Sequence, residues 1–401
     1  MAKYQSDFLV IGGGVIGISV ARRLKMLYPE MAVSLLEKEA DVGFHASGRN
    51  SGVPHAGFYY APDSLKAKLT RDGNYAMREY CQRSQIQVND CGKLVVAKDA
   101  DDLQGLDILL QRGRSNNIEL QEISAEEARQ IEPRAKTFER AIFSPTTASV
   151  DPACVMKSMR KDAEAEGVHF YCGIAFKGRT ERGVETSQGE FSAAYIINAA
   201  GLYADSVARE FGFSKRYRIL PFKGLYIYSD EPTGAIRTNI YPVPDMRNPF
   251  LGVHFTVTAQ GAIKIGPTAI PAFWREQYDG FSHFQGLEVL DILSRQARLL
   301  WSSEFDFKRL AWEEMQKYSK SHLVNLANTL VSDIDSKLYQ RWGKPGIRAQ
   351  LLDIETQRLE MDFVLEGDNE SVHILNAVSP AFTCALSFSD YVCDYIQKKL
   401  N

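Results

Sequence analysis

Asp7-Phe8-Leu9-Val10-Ile11 runs straight into Gly12-Gly13-Gly14-Val15-Ile16-Gly17. The five leading residues read as a buried strand, and Ile18 to Leu27 as an amphipathic helix. A second apolar strand, Ala32 to Leu36, ends on Glu37, with Lys38 beside it. Gly12, Gly14 and Gly17 hold the glycine positions of G-x-G-x-x-G. Glu37 falls about 20 residues further on, where an acid meets a ribose. Such a motif is weak alone and specific between a strand and a helix. Gly12 permits the tight turn, Gly14 lets a pyrophosphate approach the backbone, and Gly17 lets helix and strand pack closely. Val15 and Ile16 open a helix whose N-terminal N–H groups and partial positive charge face the phosphates. Glu37 accepts from ribose hydroxyls and repels a 2′-phosphate. The unit predicts a dinucleotide, FAD or NAD, and argues against NADP.

Composition narrows the remaining classes. The chain has 401 residues, enough for two domains, and a net charge of −3, which gives no nucleic-acid footprint. No apolar run approaches the roughly 20 residues that span a bilayer. The first strand begins almost at once, so no signal or transit peptide is expected and the protein reads as cytoplasmic. Six cysteines lie scattered with no C-x-x-C pair. They read as reduced thiols, and no metal site is expected among them or the seven histidines.

Past Glu37 the pattern stops being a plain β-α-β series. A loop of small and polar residues runs from Gly43 to Gly57, followed by helices over Ser64 to Arg83 and Asp101 to Asn116 with a short strand, Gly92 to Ala97, between them. Ser124 and Glu127 form a capping box, and Asp151-Pro152 starts a helix to Glu166. Strands follow at Val168 to Cys172 and Tyr195 to Asn198, with a hairpin at Gly183 to Phe191. Leu225 to Tyr228, Phe250 to Thr256 and Ala262 to Ile265 predict a mainly antiparallel sheet. Phe281 to Tyr339 reads as largely helical. The chain closes with a strand, His373 to Asn376, a turn at Pro380 and a helix, Thr383 to Lys399. The expected fold is α/β (α+β overall): a doubly wound, Rossmann-like unit on a parallel sheet, interrupted by a unit on a largely antiparallel sheet with helices. Residues 1–90, 146–215 and 340–401 are assigned to the first unit, and 91–145 and 216–339 to the second.

Two features favour FAD over NAD. The fingerprint occurs once, so there is no second nucleotide unit for a nicotinamide partner. The segment Asn376 to Thr383 reads as a strand–turn–helix start, whose dipole suits negative charge on a reduced flavin.

More specific blocks lie beyond the fingerprint. They are Ser47 through Tyr60, Ser64 through Leu69, Cys91-Gly92-Lys93-Leu94, Asn198 through Tyr203, Pro221 through Gly224, Asn239 through Asp245, Phe250 through Thr256, Gly346 through Gln350, and Asn376 through Thr383. Together they resemble the D-amino-acid-oxidase-type FAD superfamily and, within it, the L-2-hydroxyglutarate dehydrogenases and oxidases, over essentially the full length. Three positions depart from that pattern: Lys223 stands where arginine is expected, Phe382 where a small residue is usual, and Lys344-Pro345-Gly346 leads unusually into Arg348. Lysine keeps the charge and loses the bidentate fork.

The resemblance implies non-covalent FAD and oxidation of L-2-hydroxyglutarate to 2-oxoglutarate, with quinone or oxygen as the electron acceptor. Ser47, Arg49, Asn50, Ser51 and Gly52 then face the cofactor, as do Ala200 and Gly201, and Ser379, Pro380, Ala381, Phe382 and Thr383. His45 is the one candidate for a covalent flavin link, a lesser reading. A base must take the hydroxyl proton; His55 leads and His254 is second. A dicarboxylate needs fixed positive charge. Arg348 is first for the carboxylate beside the reacting carbon, with Lys223 and Tyr241 as further contacts. An oxidase of amino acids or secondary amines, of glycine or sarcosine type, is the rival on the same scaffold. The aromatic stretch Phe273 to Trp342 reads as packed core, with peripheral docking on a membrane as the alternative.

Overall fold

The computed structural model describes residues 4–245, 250–302 and 307–400. The chain divides into two compact units: Met1–Asn50, Pro152–Pro221 and Arg348–Asn401 form the first, and Ser51–Asp151 with Phe222–Ile347 the second.

The first unit is built on a parallel sheet in the order Ser371–Asn376, Gly189–Asn198, Tyr4–Ile11, Val33–Glu37, Val168–Cys172. Register pairs Leu9 with Ile196 on one side and Ser34 on the other. Side chains alternate across a strand, so Leu9 and Ile11 face one layer and Val10 the other. Val10 meets the helix Val15–Leu27, which packs on Pro152–Ala165 and Ala381–Leu400. Leu9 and Ile11 pack with Val184, Phe191, Ile196, Val207 and Phe211. That opposite face is covered by a hairpin, Phe176–Thr180 with Gly183–Thr186, and the short helix Ala204–Glu210. The expected doubly wound layering is therefore corrected: long helices cover one face, and strands with a short helix the other.

The second unit carries an eight-stranded sheet in the order Arg341–Trp342, Ile227–Tyr228, Ile263–Gly266, His254–Val257, Asn239–Pro242, Lys93–Val96, Arg140–Ser144, Gln121–Ser124. Every neighbouring pair is antiparallel except Asn239–Pro242 with Lys93–Val96. One face is apolar: Leu94, Ile240, Phe255 and Ile265 pack against Leu323, Val324 and Ala327 of the helix Lys320–Ala327. The strands Tyr217–Gly224, Asn239–Pro242 and Gly346–Asp353 were not foreseen, because proline, lysine, arginine and asparagine interrupt their apolar alternation. The strand expected at Phe250 to Thr256 starts later and covers His254–Val257.

Residues 51–90 were expected in the first unit and belong to the second. The helix Leu65–Arg83 is tied there: Asn74 Nδ2 donates to the Pro54 and Thr146 carbonyls at 2.9 and 3.2 Å, and Val88–Asn89 pairs with Ser149–Val150. Residues 146–151 and 340–347 stay with the second unit as well, while 216–221 join the first.

The aromatic stretch forms three helices, Gly286–Ser302, Phe307–Gln316 and Lys320–Ala327, and its last part is not helical. The packed-core reading holds for Trp274, Phe307, Tyr339 and the partly buried Trp342, and fails for a set of large apolar side chains on the same stretch. Trp301 is 87% exposed, Trp312 68%, Phe281 83% and Leu287 85%. Phe305 lies outside the described residues. Among the described residues no helix is long and apolar enough to cross a membrane.

His373 joins two central strands of the first unit. Its ring nitrogens meet Asn198 Nδ2 at 3.2 Å and Ser371 Oγ at 3.1 Å, against Phe211 and Phe213. Burial pushes its pKa down to about 4 from the usual 6.5. As pH falls through that interval the unfolded chain binds a proton that the folded one refuses. Stability present above pH 6.5 is therefore lost toward pH 4, on the order of 3 kcal/mol. Thermal unfolding midpoints from pH 7 to 4 should fall for the parent chain and fall less for His373→Gln.

Candidate active site

The strand–helix turn of the first unit is a cradle with little room. Gly12 has φ +115°, and a Cβ there would lie 2.4 Å from the Ala199 carbonyl oxygen. A Cβ on Gly17 would lie 1.9 Å from the Gly12 oxygen. At Gly14 the nearest neighbour is Ser47 Oγ, which accepts from the Val15 N–H at 2.9 Å. Glu37 is buried, and its two oxygens accept from the Gly13 N–H at 2.7 Å and the Glu39 N–H at 2.9 Å. The acid thus stands beside the glycine turn with both oxygens already oriented. Ile16 is buried in the first helical turn.

The loop that follows is self-supported. Asn50 Nδ2 donates to the Ser47 carbonyl at 2.7 Å, and Arg49 Nε to the Phe44 carbonyl at 2.7 Å. Lys38 pairs with Glu39, which also meets His45 Nε2 at 3.0 Å. The Ala200 N–H donates to Asn198 Oδ1 at 3.1 Å, and Gly201 takes a positive φ of 55°. Ser379 and Pro380 precede the helix Ala381–Leu400, which starts two residues before the expected Thr383. Phe382 and Thr383 are buried, and the Pro380 carbonyl accepts from the Cys384 N–H at 3.1 Å. Ser51 and Gly52 fall in the second unit, where the Gly52 carbonyl accepts from the Val150 N–H at 2.7 Å.

The other face of the second unit's sheet is polar and still buried. Ile240 faces Phe255 in register, which sets Tyr241 against His254. Their rings stack at 3.7 Å between centroids. Asn239 pairs with Lys93 across the parallel step, so Lys93 projects from the same face. Its Nζ lies 3.3 Å from His55 Nδ1 and 4.4 Å from the centre of the Tyr241 ring. Tyr59 and Phe58 complete the surround at 5.0 and 5.4 Å. His55, Tyr241 and His254, chosen from the sequence, thus come together.

Lys93 joins them, a residue to which the sequence assigns no role. The legible signal was a lysine heading the apolar run Leu94-Val95-Val96. Burial dominates the electrostatics here. It holds His55 well below the usual 6.5, helped by Lys93 and then His254, and pushes Lys93 down to about 7. It also raises the Tyr241 phenol. A half-buried, neutral imidazole is a base in waiting.

Lys223 stands on a different sheet, paired with Ile270. Burial lowers its pKa, opposed by the Asp279 carboxylate. Lys264, on the same face as Lys93, is lowered to about 8 by burial, with its Nζ 4.6 Å from the Tyr226 ring centre. Arg348 lies in the first unit, half-buried near the start of Gly346–Asp353.

A sequence profile described as DAO, FAD dependent oxidoreductase, matches residues 7–315. The chain belongs to this family. FAD is its cofactor, and the glycine turn with Glu37 suits the dinucleotide. Members of the family named L-2-hydroxyglutarate dehydrogenase resemble it over nearly their whole length. The protein from Indibacter alkaliphilus is 35% identical, covering 98% of each chain. The mitochondrial one from Homo sapiens is 34% identical, covering 98% of this chain and 89% of its own. In fold the chain is similar to dithionite-reduced L-alpha-glycerophosphate oxidase from Mycoplasma pneumoniae with FAD bound: TM-score 0.78, 22% identity, covering 98% of this chain and 95% of that one.

Glu37→Gln leaves one acceptor where two backbone N–H groups now donate. Charge-assisted bonds of this kind carry roughly 1.5–3 kcal/mol. FAD retention measured by fluorescence should weaken at least about tenfold.

Proposed function

We propose that this protein oxidises L-2-hydroxyglutarate to 2-oxoglutarate. The observation that carries the proposal is His55, half-buried on the loop before Gly57 and held neutral at physiological pH against a polar sheet face that carries Tyr241 and His254. The names of the full-length relatives support the substrate. When bound, FAD would supply the two-electron acceptor for the hydride that leaves the substrate carbon.

The first unit's turn, Gly12 through Gly17, with Glu37, Lys38 and the Ser47 to Asn50 loop, holds the dinucleotide. Ser51, Gly52, Ala200, Gly201 and the Ser379 to Thr383 segment serve it too. The second unit takes the substrate. His55 removes the hydroxyl proton, and His254, stacked on Tyr241, stiffens the wall beside it. Arg348 grips the carboxylate next to the reacting carbon through a bidentate pair, and Lys223 draws the second carboxylate. Burial lowers the Lys223 ammonium, so a bound anion favours its charged form and offsets that cost.

The test is anaerobic titration. L-2-hydroxyglutarate should bleach the flavin and the D-isomer should not. Bleaching by glycine or sarcosine instead would transfer the reading to amine oxidation. His55→Gln should keep FAD and slow single-turnover reduction by about 10²–10⁴-fold, the range for a positioned base. Arg348→Lys should raise KM and lower kcat; kinetics unchanged from the parent would remove it from the substrate.

Electrons leave for a membrane quinone in this reading, from a cytoplasmic protein in peripheral contact with the bilayer. Leu287, Leu290 and Trp301 on Gly286–Ser302, with Trp312 and Phe281, give an exposed apolar surface suited to an interface. Sedimentation with lipid vesicles should carry the parent protein down. The triple change Leu287→Ser, Leu290→Ser and Trp301→Ser should leave it in the supernatant.

A further inference from the structure

Lys93 is a buried amine with an unusual set of neighbours. Its Nζ meets His55 Nδ1 at 3.3 Å and the rings of Tyr241, Tyr59 and Phe58 at 4.4, 5.0 and 5.4 Å. Among the described residues no carboxylate pairs with it. A lysine meant to stay charged in a core is normally given a carboxylate, because an unpaired buried ammonium costs several kcal/mol. Aromatic faces stabilise a cation more weakly and without locking it. This surround therefore suits an amine that gains and loses its proton.

We propose that Lys93 is a positioning residue that receives the second imidazole proton of His55, so that the proton leaving the substrate's hydroxyl is balanced by one arriving on the lysine amine. The inference rests on His55 being the base. In the resting arrangement Nδ1–H of His55 donates to the neutral Lys93 amine, which leaves the lone pair on Nε2. During turnover the substrate O–H bond breaks and its proton goes to Nε2. The Nδ1–H bond breaks and that proton goes to Nζ. The imidazole ends neutral in its other tautomer, and Lys93 ends as an ammonium among three rings. The hydrogen on carbon departs with its electron pair, as the proposed reaction requires. A charged Lys93 before turnover would instead donate to Nδ1 and hold the proton on Nε2, silencing the base.

Other groups around the pair do not compete. Burial raises the Tyr59 and Tyr241 phenols and the Cys91 thiol, so all three keep their protons near neutrality. His254 bears on His55, and its Nδ1 lies 2.9 Å from the Gly252 carbonyl. With Lys93 titrating at about 7, the active form accumulates as pH rises through that value.

The experiment is anaerobic single-turnover bleaching by L-2-hydroxyglutarate between pH 5.5 and 9, as a function of side chain at position 93. The parent should speed up with a midpoint near 7. Lys93→Met should keep FAD, react on the order of 10²-fold more slowly, and lose the rise. Lys93→Arg, permanently charged, should be slow at every pH. Lys93→Ala should regain rate with added methylamine, which a merely structural lysine would not produce. A Lys93→Met profile that keeps the parent's midpoint, or a folded Lys93→Ala protein indifferent to methylamine, overturns the proposal. His55→Gln run alongside separates the two readings. If it reacts as fast as the parent, the base assignment has failed; if it is slow while Lys93→Met is unchanged, only the lysine inference has. Should Lys93→Met and Lys93→Ala lose FAD, Lys93→Gln replaces them. If that fails too, a parent profile flat through pH 7 overturns the proposal.

Discussion

The first unit depends on how closely one helix is allowed to approach one strand. Gly17 lies over the Gly12 carbonyl with no space for a single carbon, and Gly12 lies under Ala199 with little more. That contact sets the helix axis over the sheet, aims the helix N-terminus at the strand ends, and brings Glu37 beside the turn. Every later contact of the cradle inherits it. Ser47 reaches the Val15 N–H, and the Ala199-Ala200-Gly201 bend sits against the turn, because these backbones are already in contact.

In the second unit the governing constraint is electrostatic. A fully buried amine and a half-buried imidazole 3.3 Å apart resist being cationic together. Either one holds the proton or neither does. The sheet fixes one side of this pairing, because its register leaves Lys93, Tyr241, His254 and Lys264 no choice of face, and the loop that carries His55 supplies the other. Their strands are locked by the apolar layer behind, where Leu94, Ile240, Phe255 and Ile265 meet a helix. The same packing that makes the core thus selects which titratable groups confront one another.

Local periodicity made the nucleotide unit legible. Asp7 to Glu37 alternates and punctuates as its strands and helix require, and the capping box at Ser124 and Glu127 is present as read. His55, Tyr241 and His254 were also found, through the blocks that contain them. What failed to show was long-range. Lys93 looked like one charge in an apolar strand, because nothing local says which residue will stand opposite. The strand at Asn239–Pro242 is polar at one end and proline at the other, so only its neighbours make it a strand. Residues 51–90 changed sides because Asn74 bonds to Thr146, 72 positions away. Trp301 and Trp312 misled for the opposite reason: size and apolarity promise burial, and their helices present them to solvent.

The first unit is assembled from three separated stretches of chain, and the helix Ala381–Leu400 packs on Val15–Leu27. The strand Ser371–Asn376 likewise completes one flank of Gly189–Asn198. During synthesis the opening βαβ element therefore emerges with an oily helix flank that waits for Ala381–Leu400, while its strand edges are filled earlier, by Gly189–Asn198 and Val168–Cys172. An exposed apolar flank of this kind invites mispacking, while the intervening unit has its own sheet and can settle first. The fingerprint made earliest is among the last parts to reach its final shape.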